Sequence, residues 1–262
     1  MAEPAVRLLV FPGVHNLPLW LMQDLGVLPM SIAYTTGRDA LFEDLGQDRA
    51  DITFAAPDNF LMDDAVGWEP FLNATVGPLR LMASPRWPAS RRVAVDNPRS
   101  GYAVLGYHYL NQHGFPPPTY TCRGFGGTPA RLQALASGEA DLAVLAEPYT
   151  TWARQQGLWE VGRVDTGFPT LVGACPQGLA GTKALHRFIE GYRTALAWLR
   201  QDTGFGKTAQ TLLRHGLDRD LSARLAPVMG AECLRQPTTI DPAAIHRLAT
   251  LTSRYGGLIR DG

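Results

Sequence analysis

Short polar stretches hold the residues of this chain best suited to chemistry: His15-Asn16, Thr35-Thr36, Asp58-Asn59, Ser100-Gly101-Tyr102, Gly126-Gly127-Thr128-Pro129 and Glu147-Pro148-Tyr149. An imidazole titrates near neutrality, so His15 can act as acid, base or hydrogen-bonding group, or be structural. Asn16 can cap a helix or turn its amide toward a ligand. Thr35, Thr36, Ser100 with Gly101 and Tyr102, and Gly127 with Thr128 each precede or open a helix. Hydroxyls and free N–H groups in such places hold an anionic oxygen, or simply cap. Asp58 and Glu147 are carboxylates that favour ligands with N–H donors or an amine, unless they cap a helix or pair with arginine. Arg99 and Arg123 would reverse that preference if they point inward. Tyr149 and Trp152 can supply aromatic walls, and Trp20 is either a stacking platform or core, sharing a helical stripe with Leu17 and Leu21. The Gly126-Gly127 loop lacks the Lys-Ser/Thr ending of a phosphate-binding P-loop.

Elements of regular spacing must position these groups. Apolar β-type runs at 6–11, 30–34, 51–56, 91–96, 119–125 and 141–146 each end in one of the polar stretches. Helix-like segments alternate with them: 16–26, 38–47, 58–66, 97–115 and the run opened by Thr128-Pro129. "EPFLNATV", "LRLMASP", "WEVGRVD" and "TLVGAC" read as further strands, and from Lys183 onward the period is helical, led by 184–201. Strands alternating with helices of this length predict an α/β fold with a largely parallel sheet, where ligands collect beyond the carboxyl ends of strands.

One part of this pattern is written twice. "ADITFAAPDN" at 50–59 is echoed by "ADLAVLAEPY" at 140–149, and the preceding helices align without gaps at the same offset of 90: Leu45 with Leu135, Asp51 with Asp141, Ala56 with Ala146. Chance similarity of two βαβ units is the alternative. A true repeat predicts equivalent strand ends in two lobes, differing where one ends in Asp58-Asn59 and the other in Glu147-Pro148-Tyr149.

Composition narrows the function. Acidic and basic residues number 24 each, which argues against a nucleic-acid surface, and 45% hydrophobic content allows a real core. Cys122, Cys175 and Cys233 have no metal-ligand spacing and read as small buried hydrophobes. No apolar run reaches the ~20 residues that span a bilayer. "MAEPAVRLLVF" has no signal-peptide pattern. The expected compartment is periplasm or cell surface if the chain is a mature or truncated form, and cytoplasm if Met1 is the true start.

Three segments together resemble the type 2 periplasmic-binding-protein fold: "NLPLW", "ADITFAAPDN" and "GGTPARLQALASGEADLAVLAEPYTTWARQQGL". The branch they are most similar to is the substrate-binding proteins of sulfonate, nitrate, taurine and thiamine-pyrimidine-precursor ABC transporters. "VAVDNPRSGYAVL" and "FIEGYRTALAWL" fit the same pattern. "GVLP" at 26–29 and "SPRWPAS" before the 91–96 strand are shorter than the family's usual connections. The resemblance implies two lobes, each a mainly parallel sheet flanked by helices, with a helical C-terminal region. Lobe 1 is expected from 1–83 and 168–262, lobe 2 from 84–167, with hinge crossings near 80–90 and 163–176. It implies capture of a small polar organic molecule in an interlobe cleft by His15, Asn16, Trp20, Thr35, Thr36, Asp58, Asn59, Ser100, Gly101, Tyr102, Gly127, Thr128, Glu147 and Tyr149. It further implies a monomer that partners an ABC permease, with no cofactor, metal or nucleic acid. The alternative is a cytosolic lyase-type enzyme on the same fold (decarboxylase, desulfinase or dehydratase) using His15 with Asp58 or Glu147. A desulfinase would carry a nucleophilic Cys after the first strand, where this chain has Val14-His15-Asn16.

Overall fold

The structure is a computed structural model that describes residues 5–60, 67–74, 77–233 and 238–255, the side chains of 232 and 233 excepted. The chain divides into two compact units: Met1–Gly77 with Leu171–Ile240, and Pro78–Thr170 with Asp241–Gly262.

Unit 1 holds a five-stranded sheet in the order β2-β1-β3-β10-β4, formed by β1 (Val6–Val10), β2 (Met30–Tyr34), β3 (Ile52–Ala55), β4 (Trp68–Asn73) and β10 (Val172–Pro176). β1 pairs in parallel with β2 and β3, whereas β10 is antiparallel to both β3 and β4, so four strands run one way and one is reversed. β3 is buried along its whole length, as a strand covered on both faces must be. Its one polar residue, Thr53, donates its hydroxyl to the Leu9 carbonyl. On one face α2 (Arg38–Gly46) sets Leu41 and Leu45 against Leu9 and Ala55. Phe54 on β3 meets Phe188 and Tyr192 of α6 (Lys183–Gln201) edge-on. The apolar stripe of α6, from Leu185 through Phe188, Tyr192, Ala195 and Leu199, has the helical period the sequence shows, and Thr182 caps its start. α1 (Leu17–Asp24), α7 (Gly206–Arg214) and α8 (Arg219–Cys233) complete the unit. The helix expected over 58–66 begins as a 3-10 turn, Pro57–Phe60; residues 61–66 lie outside the described residues, as do 75–76 of the run "EPFLNATV".

Unit 2 repeats the topology. Its sheet order is β7-β6-β8-β5-β9, from β5 (Arg80–Ala83), β6 (Arg92–Val95), β7 (Thr121–Gly124), β8 (Leu142–Leu145) and β9 (Trp159–Arg163). β6 is parallel to β7 and β8, and β5 is the reversed strand between β8 and β9. Side chains alternate faces along each strand. Leu81, Val93, Val95, Leu142 and Val144 therefore pack with α3 (Gly101–Gln112), while Met82, Ala94, Ala143 and Leu145 pack with α4 (Thr128–Ser137) and α5 (Tyr149–Gln155). Gly162 on β9 lies under Tyr109 of α3, whose hydroxyl donates to the Val161 carbonyl; a Cβ at 162 would stand 2.0 Å from that oxygen.

The division differs from the expected one in three places, the smallest being residues 168–170, which fall in unit 2. β5 lies in unit 2, because residues 80–83 are a strand of its sheet. The last helix, α9 (Pro242–Tyr255), also belongs to unit 2, because Leu248, Leu251 and Tyr255 join the core cluster of α3. Arg247 of α9 lies over Phe168 of the same unit.

The repeated aspartate has the same structural role twice. Asp51, just before β3, accepts from the Arg7 backbone N–H (2.8 Å), Nε (3.2 Å) and Nη2 (2.8 Å), and its own N–H donates to the Arg7 carbonyl. Asp141, just before β8, accepts from the Arg92 N–H (3.1 Å), Nε (2.8 Å) and Nη2 (2.9 Å) and from Ser90 Oγ (2.7 Å), with the same return bond. Each clamp ties the start of the first parallel strand to the start of the third. Burial alone would raise both carboxyls, but the arginine bonds, aided by Ser90 at Asp141, outweigh it and hold both below the usual range.

A carboxyl depressed in the folded state stabilises the fold above its unfolded value, near 3.9, and that contribution is lost as pH falls through the folded value. Stability measured by urea unfolding is therefore expected to decline below about pH 4, and less steeply in Asp141→Asn. The Asp141 side chain is fully buried and that of Asp51 is 31% exposed. At pH 7 Asp141→Asn should cost about 2 kcal/mol or more, and Asp51→Asn about 1 or less. A larger loss at Asp51 would contradict the assignment.

Candidate functional site

In unit 1, β2, β1 and β3 are adjacent and parallel, so the loops after them leave from one edge of the sheet. The Phe11 carbonyl beyond β1 accepts from Asn16 Nδ2 at 2.8 Å and lies 3.1 Å from His15 Nε2. A carbonyl only accepts, so that bond puts the imidazole proton on Nε2 and leaves Nδ1 as an acceptor. The ring folds back over Gly13, where a Cβ would stand 2.6 Å from Cε1, a contact that only glycine permits. Burial pushes His15 down to about 4, against the opposing pull of the Phe11 carbonyl, so at neutral pH it is uncharged and a weak base. Asn16 stands at the N-cap of α1 but makes no side-chain cap bond; its amide is spent on Phe11 instead. It is fully buried, and its Oδ1 has no hydrogen-bond partner.

Thr35 is buried and donates its hydroxyl to the Gly37 carbonyl at 3.1 Å, so it does not cap α2, which starts from Gly37. Thr36 is exposed. Asp58 and Asn59 are both buried in the 3-10 turn after β3, where Asn59 Nδ2 closes the loop onto the Ala56 carbonyl at 3.0 Å. Trp20 requires a correction: it is core. Its ring stacks on His215 (centroids 4.8 Å apart, planes 6° apart) and its Nε1 donates to the Tyr34 hydroxyl, because α1 packs against α7 along that stripe.

In unit 2 the corresponding edge follows β7, β6 and β8. Ser100 caps α3, accepting from the Ala103 N–H at 3.0 Å and donating to Asp96 Oδ1 at 2.5 Å. Gly101 is buried in the first turn, and Tyr102, half-buried, donates to the Thr170 carbonyl at 3.0 Å. Gly127 is the exposed N-cap of α4, and Thr128 Oγ1 accepts from Arg131 Nη2 at 2.7 Å. Glu147 is committed largely to its own helix: Oε2 accepts from the Thr151 N–H (3.1 Å) and Oγ1 (2.8 Å), while Oε1 lies 3.7 Å from Arg154 Nη1. Tyr149 meets Trp152 edge-on at 5.0 Å, and burial raises its phenol.

Asp96 and Arg131 were not legible as site residues. Arg131 is 2% exposed, and Asp96 Oδ1 lies 3.4 Å from its Nη1. The available signal was position: in "GGTPAR" the arginine stands one helical turn past a glycine N-cap, on the face that carries Leu132 and Leu135 inward. Arg99 and Arg123, which would have favoured an anion had they pointed inward, are exposed, and Arg123 lies over the Phe125 ring. Burial pushes the Cys122 thiol up to about 12 and the Cys175 thiol up to about 11, so neither is a ready nucleophile. Cys233's side chain lies outside those described. Among the described residues no three His, Cys, Asp or Glu side chains are grouped to hold a metal.

No protein-family model and no curated protein matches the chain. Solved structures do. The ligand-binding component of an ABC-type import system from Staphylococcus aureus, with zinc bound, is 12% identical, with a TM-score of 0.77 over 99% of this chain and 97% of that one. The alkanesulfonate-binding protein of Xanthomonas axonopodis pv. citri, bound to MOPS, is 16% identical, with a TM-score of 0.75 over 99% and 96%. The periplasmic nitrate-binding protein of Synechocystis is 12% identical, with a TM-score of 0.75 over 98% and 83%. At these identities the likeness is one of fold: the chain has the periplasmic-binding-protein fold.

Proposed function

We propose that the chain is a solute-binding protein of an ABC-type uptake system, capturing a small polar organic molecule such as a sulfonate, a nitrate-like anion or a pyrimidine-type heterocycle. The observation that carries this reading is the concentration of buried polar side chains at the carboxyl ends of the parallel strands. Asn16, Thr35, Asp58 and Asn59 in unit 1 and Arg131, Glu147 and Thr150 in unit 2 are all buried there. Fold alone does not assign function. Support comes from those side chains, since buried polar atoms left unpaired, such as Asn16 Oδ1 and Thr150 Oγ1, are rare unless something else satisfies them. That an ABC permease receives the ligand belongs to the same proposal. The neutral His15 and the helix-bound Glu147 give no comparable support to acid–base catalysis.

A thermal-shift screen over sulfonates, nitrate, pyrimidines, flavins and aromatic acids tests the reading. A true ligand at 100 times its dissociation constant should add about 2.7 kcal/mol of stability. Asn16→Ala and Asp58→Ala should each weaken the hit by about tenfold, the scale of one hydrogen bond in a dry site. Consumption of a candidate with no stabilisation by any would sink the binding role.

Glu147→Ala is expected to act first on the fold, lowering stability by about 1 kcal/mol through the lost contacts at the start of α5. Calorimetry of the free variant checks this; an unchanged midpoint would show that the Thr151 bonds are dispensable.

A further inference from the structure

Arg131 is the arginine that the described residues bury most completely, and it is poorly satisfied. A guanidinium carries five N–H donors. Nη2 bonds Thr128 Oγ1, but Nε and Nη1 are buried without a hydrogen-bond acceptor, Nη1 standing 3.4 Å from Asp96 Oδ1. A buried charge in this condition is costly unless a partner completes it.

The local field points to the sign of that partner. Arg131 lies in the first turn of α4, at the positive end of the helix dipole. The start of α3 faces the same aspartate, through the bond from Ser100. Each helix N-terminus is equivalent to roughly half a positive charge. Arg131 and two such termini are set against the single carboxylate of Asp96, which leaves an excess of about one positive charge. Desolvation lowers the arginine's own pKa against the pull of Asp96. An amine ligand would add to the excess, and a neutral heterocycle would leave it in place. An oxyanion removes it and supplies the missing acceptors.

We propose that Arg131, with Thr128, forms an oxyanion subsite at the strand ends of unit 2, and that it sets the ligand class as small organic or inorganic monoanions. The assignment rests on the solute-binding reading. Asp96 and Thr128, which contact the guanidinium, are half-buried. Asp96, itself held by Ser100, orients the guanidinium, and Arg131 acts as the specificity determinant.

The test is titration calorimetry of the full chain in chloride-free, low-salt buffer, using methanesulfonate, nitrate and the neutral isostere dimethyl sulfone. Wild type should bind at least one of the two anions and not the sulfone. Arg131→Gln should weaken that binding by about thirty-fold or more, the low end for truncating one partner of a buried charge pair. Arg131→Lys, which keeps the charge, should retain most of it, a rescue that a merely structural role would not show. If Arg131→Gln does not fold by circular dichroism, Arg131→Lys and Thr128→Val decide, the latter being expected to reduce affinity for the anion. Wild type that binds neither anion, or Arg131→Gln with unchanged affinity, overturns the subsite. A pyrimidine that stabilises the protein while both anions fail would remove the subsite and leave the binding function standing.

Discussion

The bidentate arginine–aspartate clamp at the start of each sheet is the constraint from which the remaining geometry follows. A β-strand displaced by one residue turns every side chain to the opposite face. In unit 2 that slip would exchange Leu142 and Val144, which face α3, with Ala143 and Leu145, which face α4 and α5. The clamp between Arg92 and Asp141 fixes the register of β6 against β8 from both directions, side chain to backbone and backbone to backbone. Arg7 and Asp51 do the same for β1 and β3. With the starts of parallel strands aligned, their ends are aligned as well. The loops that follow then share one edge, which is how Phe11, Thr35 and Asp58 come to be neighbours in topology though far apart in sequence.

Half of this was legible in the residues and half was not, for a definite reason. The repeat of helix, turn and strand could be seen because Asp51 and Asp141 sit in segments that align without a gap, 141 − 51 = 90. Their arginine partners are separated by a different interval, 92 − 7 = 85, so no single alignment shows both halves of the clamp. The stripe of α9 was readable as helix, yet periodicity says that a helix has an apolar face and not which sheet it covers. Its docking on α3 depends on Leu248, Leu251 and Tyr255 fitting a surface built from residues 103–110, a long-range match with no local sign. β5 could be read as a strand, but neither its reversed direction nor its membership of unit 2 follows from "LRLMA".

The candidate site divides in the same way. Residue type and position after a strand were enough to place Asn16, Asp58, Asn59, Ser100 and Thr128 at the carboxyl ends of the strands. They were not enough to tell a ligand-facing group from one serving its own loop. Trp20 was lost to packing against His215, and Glu147 is held by Thr151, because a side chain at a helix start meets local donors before any distant partner. Arg131 was missed because an arginine in an amphipathic helix ordinarily lies on the wet face. Its contacts are Thr128, one turn back in the same helix, and Asp96, in the loop after β6.

Comparing the two ends of each sheet gives the last step. At the amino ends, the buried Asp141 receives four donors and its counterpart Asp51 three, and such satisfied groups contribute stability. At the carboxyl ends, Asn16 Oδ1, Thr150 Oγ1 and two nitrogens of Arg131 are buried with no partner. Each such group costs about 1–3 kcal/mol, more where it is charged, and simple apolar replacement would relieve it. A fold that needed those positions only for packing would do better with alanine, valine or leucine. Polar groups at the strand ends are explained if recognition occurs there, since a ligand that completes them recovers a penalty the empty protein already carries, and rejects any molecule that leaves them unpaired. The parallel strands thus begin at paired charge and end near unpaired polar groups, although the Tyr120 hydroxyl just before β7 is also buried and unpaired.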